Sequence, residues 1–142
     1  MLAARELQRV PPSQSHADRL LGQSAANLST AREVAEHNPE GAYSLIYDAA
    51  RMSLVALLEN EGLRPTSRAG HHGIYLAVRA QLDPPLGSVL RPFERMRRRR
   101  NEIEYPDFVH TPLTAADLAE DTSAAEAIIS FVKRVYGEMS PY

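Results

Sequence analysis

The residues best suited to chemistry lie in the run FERMRRRRNEIEYP, over residues 93–106, where arginines precede an amide, carboxylates and a phenol. At helical spacing one side of this segment carries Val89, Phe93, Met96, Arg100 and Ile103. Arg100 therefore continues an apolar face. A guanidinium there keeps its charge, so we expect it to meet a carboxylate, a second subunit or an anionic ligand. Arg100 and its neighbour Asn101 are the first candidates for an anion site.

The same segment concentrates positive charge. Six of the 16 Lys and Arg residues lie between Arg91 and Arg100, although the net charge of the chain is -2. This overall charge argues against a protein that coats nucleic acid along its whole surface, but a local cluster still attracts phosphates. Arg97 and Arg100 are therefore candidate RNA or phosphate contacts. The alternatives are a solvated helix face, or an internal pair between Arg100 and either Asp48 or Glu104.

Composition indicates an ordinary globular protein. The chain has 142 residues, 44% of them hydrophobic and 24% charged, which is enough for one domain with one core. It has no Cys, and we find neither a signal-peptide pattern nor an apolar run long enough for a membrane span. These features predict a cytoplasmic protein, without a membrane association, a metal or another cofactor.

Hydrophobic periodicity predicts an all-α fold, an up-and-down bundle of four to five helices. Residues 1–14 are expected to form a flexible arm, and residues 15–142 a single helical domain. Capping signals and prolines place the helices at about residues 15–36, 38–62, 74–82, 88–106 and 114–137. The second helix has two adjacent apolar stripes, so we expect it to be central.

Four polar or aromatic residues outside the arginine run are candidates for a supporting polar network. Asp48 follows Tyr47 on the central helix, and we expect it to pair with an arginine and so link the second and fourth helices. His71 and His72 lie at a predicted helix start. Because they are adjacent rather than four residues apart, they do not form a pair of metal ligands on one helical face, and no metal is assigned.

Three segments in this order, AYSLIYDAARMSLVALLENEGLRP, GHHGIYLAVRAQL and FERMRRRRNEIEYP, make the chain similar to the HEPN superfamily of small helical bundles. Many members carry Arg, a polar residue, three further residues and then His. Arg100 and Asn101 match the first two positions, and Tyr105 stands where the histidine would be. The resemblance implies a toxin-antitoxin or defence protein, a metal-independent ribonuclease, and a nucleotidyltransferase-type antitoxin as partner.

The resemblance also implies roles for the individual residues. Such cleavage needs a base for the 2′-hydroxyl proton, an acid for the leaving oxygen and a cation for the phosphorane. Arg100 would stabilise the phosphate, Asn101 would orient it, and Tyr105 would donate a proton or hydrogen-bond the substrate. An ordinary phenol, with a pKa of about 10, is a poor base at neutral pH. Glu104, or one of the two histidines named above, would have to be the base.

Two further functions remain open. One is a non-catalytic module of the same fold that binds nucleotide or RNA phosphate on Arg97 and Arg100, or binds a nucleotidyltransferase. The other is a structural interaction protein whose polar cluster fixes the register of a dimer. In the nuclease hypothesis the chain is a homodimer with its two arginine-bearing helices facing each other. Tyr105 has two other interpretations, a helix-end plug whose hydroxyl reaches the backbone and a site of modification by the antitoxin.

Overall fold

The fold is a bundle of α-helices with a short two-stranded ribbon. A computed structural model describes residues 7–9, 14–60, 63–65, 87–105 and 112–136. Within those ranges the helices are α1 (Gln14–Val34), α2 (Pro39–Asn60), α3 (Gly87–Glu104) and α4 (Ala115–Tyr136). The predicted all-α bundle is confirmed.

Helix α2 is the centre of the bundle. It packs against α1, α3 and α4, and both of its predicted apolar stripes are buried. The buried side chains of α2 include Ala42, Tyr43, Ile46, Tyr47, Ala49, Ala50, Leu54, Leu57 and Leu58. From α3 the core receives Phe93 and Met96, which are fully buried, as the helical spacing predicted.

Side-chain caps define the starts of α2 and α4. Asn38 Oδ1 accepts a hydrogen bond from the backbone N–H of Gly41 at 3.0 Å, and a glycine at that position leaves room for the asparagine side chain. Thr114 Oγ1 accepts one from the N–H of Asp117 at 3.0 Å, and the carboxylate of Asp117 accepts one back from the Thr114 N–H at 3.3 Å. The hydrogen bonds from Thr114 lower the pKa of Asp117. The capping signals predicted for the second and the last helix are thus confirmed.

The ribbon was not predicted. Strand β1 (Leu7–Arg9) pairs antiparallel with β2 (Leu63–Pro65), with Leu7 opposite Pro65. Three residues of the predicted arm therefore pair with the stretch that follows α2. A strand of three residues is too short to show an alternating pattern in the sequence, which is why periodicity could not reveal it.

Two other points differ from the sequence-based expectations or lie beyond them. Helix α3 begins at Gly87 and includes Pro92 in its second turn, although a position in the first turn was expected. The predicted helix over residues 74–82 lies outside the described residues, as do His71 and His72. None of the helices in the described ranges is long and apolar enough to cross a membrane.

The cap of α2 gives a first prediction. Asn38→Ala should lower the free energy of unfolding by about 1 kcal/mol, because the Gly41 N–H loses its acceptor. Urea denaturation followed by circular dichroism measures this, with Asn38→Asp as the control that keeps the accepting oxygen. An equal loss in both variants would show that the oxygen is not the source of the stability.

Candidate functional site

Five of the arginines of α3 fall into two groups that face different neighbours. The helix carries six arginines and three glutamates, so it is strongly basic in a chain of net charge -2. Arg95 and Arg99 face α4 and bind its carboxylates. Arg97, Arg98 and Arg100 pair with glutamates of α3 itself. The partners of the second group thus belong to the same helix as the arginines, whereas those of the first group belong to α4.

The first group surrounds a buried carboxylate on α4. Asp121 is fully buried, and its Oδ2 accepts hydrogen bonds from the Tyr43 hydroxyl and from Arg99 Nη1, both at 2.6 Å. Arg95 Nη2 donates to Oδ1 of the same carboxylate. We call these four residues the Asp121 network. It joins α2, α3 and α4, so it holds α3 in place on the bundle.

Two more carboxylates of α4 extend this network toward the surface. Arg95 Nη2 is 3.2 Å from Glu120 Oε1, and Arg99 Nη2 is 3.7 Å from Asp117 Oδ1. Burial and the hydrogen bond to Asp121 raise the pKa of Tyr43 far above its ordinary value, so its hydroxyl keeps the proton that it donates. Arg95 and Arg99 therefore have a structural role.

Sequence reasoning missed the Asp121 network, although a signal for it exists. Arg95 and Arg99 are four residues apart on α3, and Asp117 and Asp121 are four residues apart on α4. Each pair lies on one helical face. Two oppositely charged pairs with the same spacing on neighbouring helices favour a cross-helix contact, but the spacing alone does not reveal that Tyr43 completes it.

Arg100 lies on the other side of α3, above an aromatic pair. Its guanidinium carbon is 5.7 Å from the centroid of the Tyr47 ring, within cation–π range, and that ring stacks on Phe93 at 5.2 Å. The Arg100 side chain is 23% exposed. It is thus part-buried on an apolar face, where the helical spacing placed it.

The anionic partner of Arg100 is Glu104 on the next turn of α3. Arg100 Nη2 is 2.9 Å from Glu104 Oε1, and the carboxylate side chain is 37% exposed. The Nε of Arg100 is buried and donates no hydrogen bond to any residue in the described ranges. A guanidinium has five N–H donors, and the partner that Arg100 has in the described ranges is Glu104, so donors remain on its Nη groups for a further acceptor.

Asp48 does not make the predicted link between the helices. Its Oδ1 is 3.5 Å from Arg51 Nε, so the ion pair lies within α2, and this interpretation of Asp48 was wrong. The adjacent residue, Tyr47, contacts α3 instead. One residue turns a helix by about 100°, which directs Tyr47 toward α3 and leaves Asp48 part-exposed at the side. Burial raises the pKa of Tyr47, although the positive charges of Arg51, Arg100 and Arg97 oppose the rise.

Asn101 and Tyr105 lie at the exposed end of α3. The N–H of Tyr105 donates to the carbonyl of Asn101 at 2.9 Å, so the helical course continues to Tyr105 and the two side chains are one turn apart. Asn101 is exposed, and Tyr105 is 74% exposed. The interpretation of Tyr105 as a helix-end plug is wrong, because its ring stands in solvent. Arg100, Asn101, Glu104 and Tyr105 together form what we call the Arg100 site.

The turn of α3 before the Arg100 site is also basic. Arg97 binds Glu94 through Nη2 at 2.6 Å and through Nε at 3.1 and 3.2 Å. Arg98 is 71% exposed, and its Nε is 3.8 Å from the same carboxylate. Arg97 is thus held in an ion pair with Glu94. Arg98, which the sequence analysis did not single out, is the more accessible cation.

Two concave surfaces lie beside α4, and neither contains the Arg100 site. A cleft of about 320 Å³ between α3 and α4 is lined by Arg95, Arg98, Arg99, Glu102, Ile103, Pro112, Leu113 and Asp117. A more apolar groove of about 570 Å³ lies between α4 and the turn that joins α1 to α2. Two arginines of the cleft already bind Asp121, so the protein itself largely neutralises the positive charge of the cleft. In the described part of the chain no cluster of His, Asp and Glu suits a metal ion.

The sequence places this chain in a known family. A model of the HEPN domain matches residues 17–139, which is most of the chain, so the protein belongs to the HEPN family. This confirms the resemblance found in the sequence. Searches of curated proteins and of solved structures give no significant match.

The Asp121 network gives the second prediction. Asp121→Asn should lower the free energy of unfolding by about 2 kcal/mol, because the new amide N–H₂ faces donors instead of accepting from them. This value lies below that of a fully buried pair, since both arginines keep contact with water. Urea denaturation measures it.

Glu120→Gln is the matched control for this prediction. Glu120 also pairs with Arg95, but its side chain is 62% exposed. We expect the control to change the unfolding free energy by less than about 0.5 kcal/mol. If both variants were equally stable, burial of the Asp121 carboxylate would not be the decisive interaction.

Proposed function

We propose that the chain is a HEPN protein of toxin-antitoxin or defence type that binds RNA phosphate at the Arg100 site. The observation that carries this proposal is the part-buried guanidinium of Arg100, which is held over the Tyr47 ring and 2.9 Å from a half-exposed carboxylate. Arginine at such a position presents a rigid set of donors that matches phosphate oxygens.

The ion pair between Arg100 and Glu104 is of a weak kind, so Arg100 is suited to exchange its anionic partner. Exposed pairs between residues four apart on a helix contribute roughly 0.3–0.5 kcal/mol. Because Glu104 is 37% exposed, we expect a phosphate to be able to displace it from Arg100. The arginines that bind buried Asp121 lack this freedom. Arg97 and Arg98, on the preceding turn, add positive potential along the path of a phosphate backbone.

We propose a homodimer as the working form. Asn101 and Tyr105 are exposed at the same end of α3 as Arg100, so two copies that meet there bring two guanidiniums to one groove. Membership of the HEPN family, whose domains often act as dimers, supports this arrangement. The partner that we propose for the toxin-antitoxin role is a nucleotidyltransferase-type antitoxin.

A second candidate function is metal-independent cleavage of the bound RNA. It is favoured by the position of Glu104, which puts a carboxylate 2.9 Å from the cation that would stabilise the phosphorane. In this reaction Glu104 takes the 2′-hydroxyl proton, Arg100 stabilises the charge that develops on phosphorus, and Asn101 orients the phosphate. Tyr105 donates a proton to the leaving 5′-oxygen.

Binding is the third prediction. Arg100→Ala should weaken the affinity for a single-stranded oligoribonucleotide by about tenfold and reduce the salt dependence by roughly one phosphate contact. Fluorescence anisotropy at several salt concentrations measures both quantities. Arg19→Ala, which removes an equal charge from an exposed position on α1, is the control and should have little effect. Equal losses in the two variants would contradict a specific role for Arg100.

Cleavage is the fourth prediction. If the second candidate is right, the wild-type protein cuts single-stranded RNA in the presence of a metal chelator. Glu104→Gln should then lower the rate by at least about 100-fold, the ordinary contribution of a general base, and leave RNA binding in place. Gel analysis of labelled RNA gives the rate. Intact RNA after incubation with wild-type protein that is folded and binds RNA would exclude the catalytic candidate and leave the binding function standing.

A further inference from the structure

We infer that the ring of Tyr105 is a stacking platform for a nucleobase, and that the Arg100 site therefore selects single-stranded RNA over duplex RNA. This inference rests on the proposed function, because the phosphate held by Arg100 is what brings the base to the ring. It gives Tyr105 a role in binding that differs from proton donation, since the aromatic face contacts the base and the hydroxyl is not needed for this contact.

The exposure of Tyr105 is exceptional within the described side chains. It is the large hydrophobic residue that stands out in solvent, at 74% exposure, whereas Tyr43, Tyr47 and Phe93 are fully buried. Aromatic rings are usually buried because of their large apolar area, so an exposed ring on the same helix as the exposed Arg98 is a candidate contact surface.

The position of Tyr105 matches the geometry of a nucleotide. It continues the helical course through its hydrogen bond to Asn101, and it follows Arg100 by five residues. At the ordinary helical rise and turn this separates the two backbone positions by about 7.5 Å along the axis and about 140° around it. The guanidinium of Arg100 extends to Glu104, the residue before Tyr105, so we expect a base one or two nucleotides from the phosphate on Arg100 to reach the ring.

Stacking on an exposed ring favours unpaired bases. In a duplex each base is stacked on its neighbours and has no free face to offer, whereas bases in single strands and loops are splayed out and stack on aromatic side chains. The exposed Arg98 lies three residues before Asn101 and seven before Tyr105, and these spacings place all three on the same side of α3. It provides a cationic track for the backbone that leads toward the ring.

The experiment compares Tyr105→Phe with Tyr105→Leu. Phenylalanine keeps the ring and removes the hydroxyl, while leucine keeps an apolar side chain and removes the ring. We expect Tyr105→Phe to bind a single-stranded oligoribonucleotide within about twofold of wild type, and Tyr105→Leu to bind at least about fivefold more weakly. A duplex of the same sequence should bind wild type and Tyr105→Leu alike. Circular dichroism checks that all variants are folded.

An oligoribonucleotide with abasic sites provides the matched ligand. Because it offers phosphates without bases, wild type and Tyr105→Leu should bind it equally. A loss in Tyr105→Phe as large as that in Tyr105→Leu would overturn the inference, as it would assign the effect to the hydroxyl. Unchanged binding of single strands by Tyr105→Leu would also overturn it.

This experiment separates the inference from the proposed function. If the leucine variant binds normally while Arg100→Ala is weakened, phosphate binding stands and stacking fails. If Arg100→Ala binds RNA as wild type does, the proposed function fails and the inference fails with it.

Discussion

The rest of the structure depends on the burial of one carboxylate, that of Asp121. It accepts hydrogen bonds from Tyr43 on α2 and from Arg95 and Arg99 on α3, so a single anion connects three helices. A buried charge is tolerated only when it is paired and hydrogen-bonded, which makes this arrangement demanding about geometry. The rotation of α3 about its own axis is consequently fixed. Since Arg100 follows Arg99 by one residue, the same rotation brings its guanidinium over the ring of Tyr47.

The basic segment of α3 thus contains two kinds of arginine, which differ in their partners and which the composition does not distinguish. Arg95 and Arg99 balance carboxylates of α4 and contribute to stability. Arg97 and Arg100 pair along their own helix, with Glu94, which is 14% exposed, and with Glu104, which is 37% exposed. Both kinds are arginines in one run, and only the identity and burial of the partner separates them.

Helical periodicity and capping chemistry predicted much of the fold, because both depend on residues close together in the sequence. Phe93 and Met96 were placed in the core, Arg100 at its edge, and Asn38 and Thr114 at helix starts, all from local spacing. The resemblance to the HEPN family was likewise readable from the sequence, and the family match confirms it.

What the sequence did not reveal depends on pairs that are distant along the chain. Tyr43 and Asp121 are 78 residues apart, and local patterns do not determine which acids will meet which bases across a bundle. Asp48 illustrates this limit. Its position beside Tyr47 suggested a partner on the arginine-rich helix, but a rotation of about 100° per residue gave that contact to Tyr47 and left Asp48 to Arg51.

Under the proposed function, tyrosine at position 105, where the motif of similar proteins has histidine, limits what the Arg100 site can do at one time. In the structure Glu104 is the anion on Arg100, so a phosphate that takes this place must displace it. The released carboxylate then lies next to a second anion, and the repulsion between the two opposes tight binding. A histidine base would be neutral at this stage and would avoid the conflict. Phosphate binding and base catalysis therefore compete for the same residue in this chain, and the balance between them is set by how far Glu104 moves when the phosphate arrives.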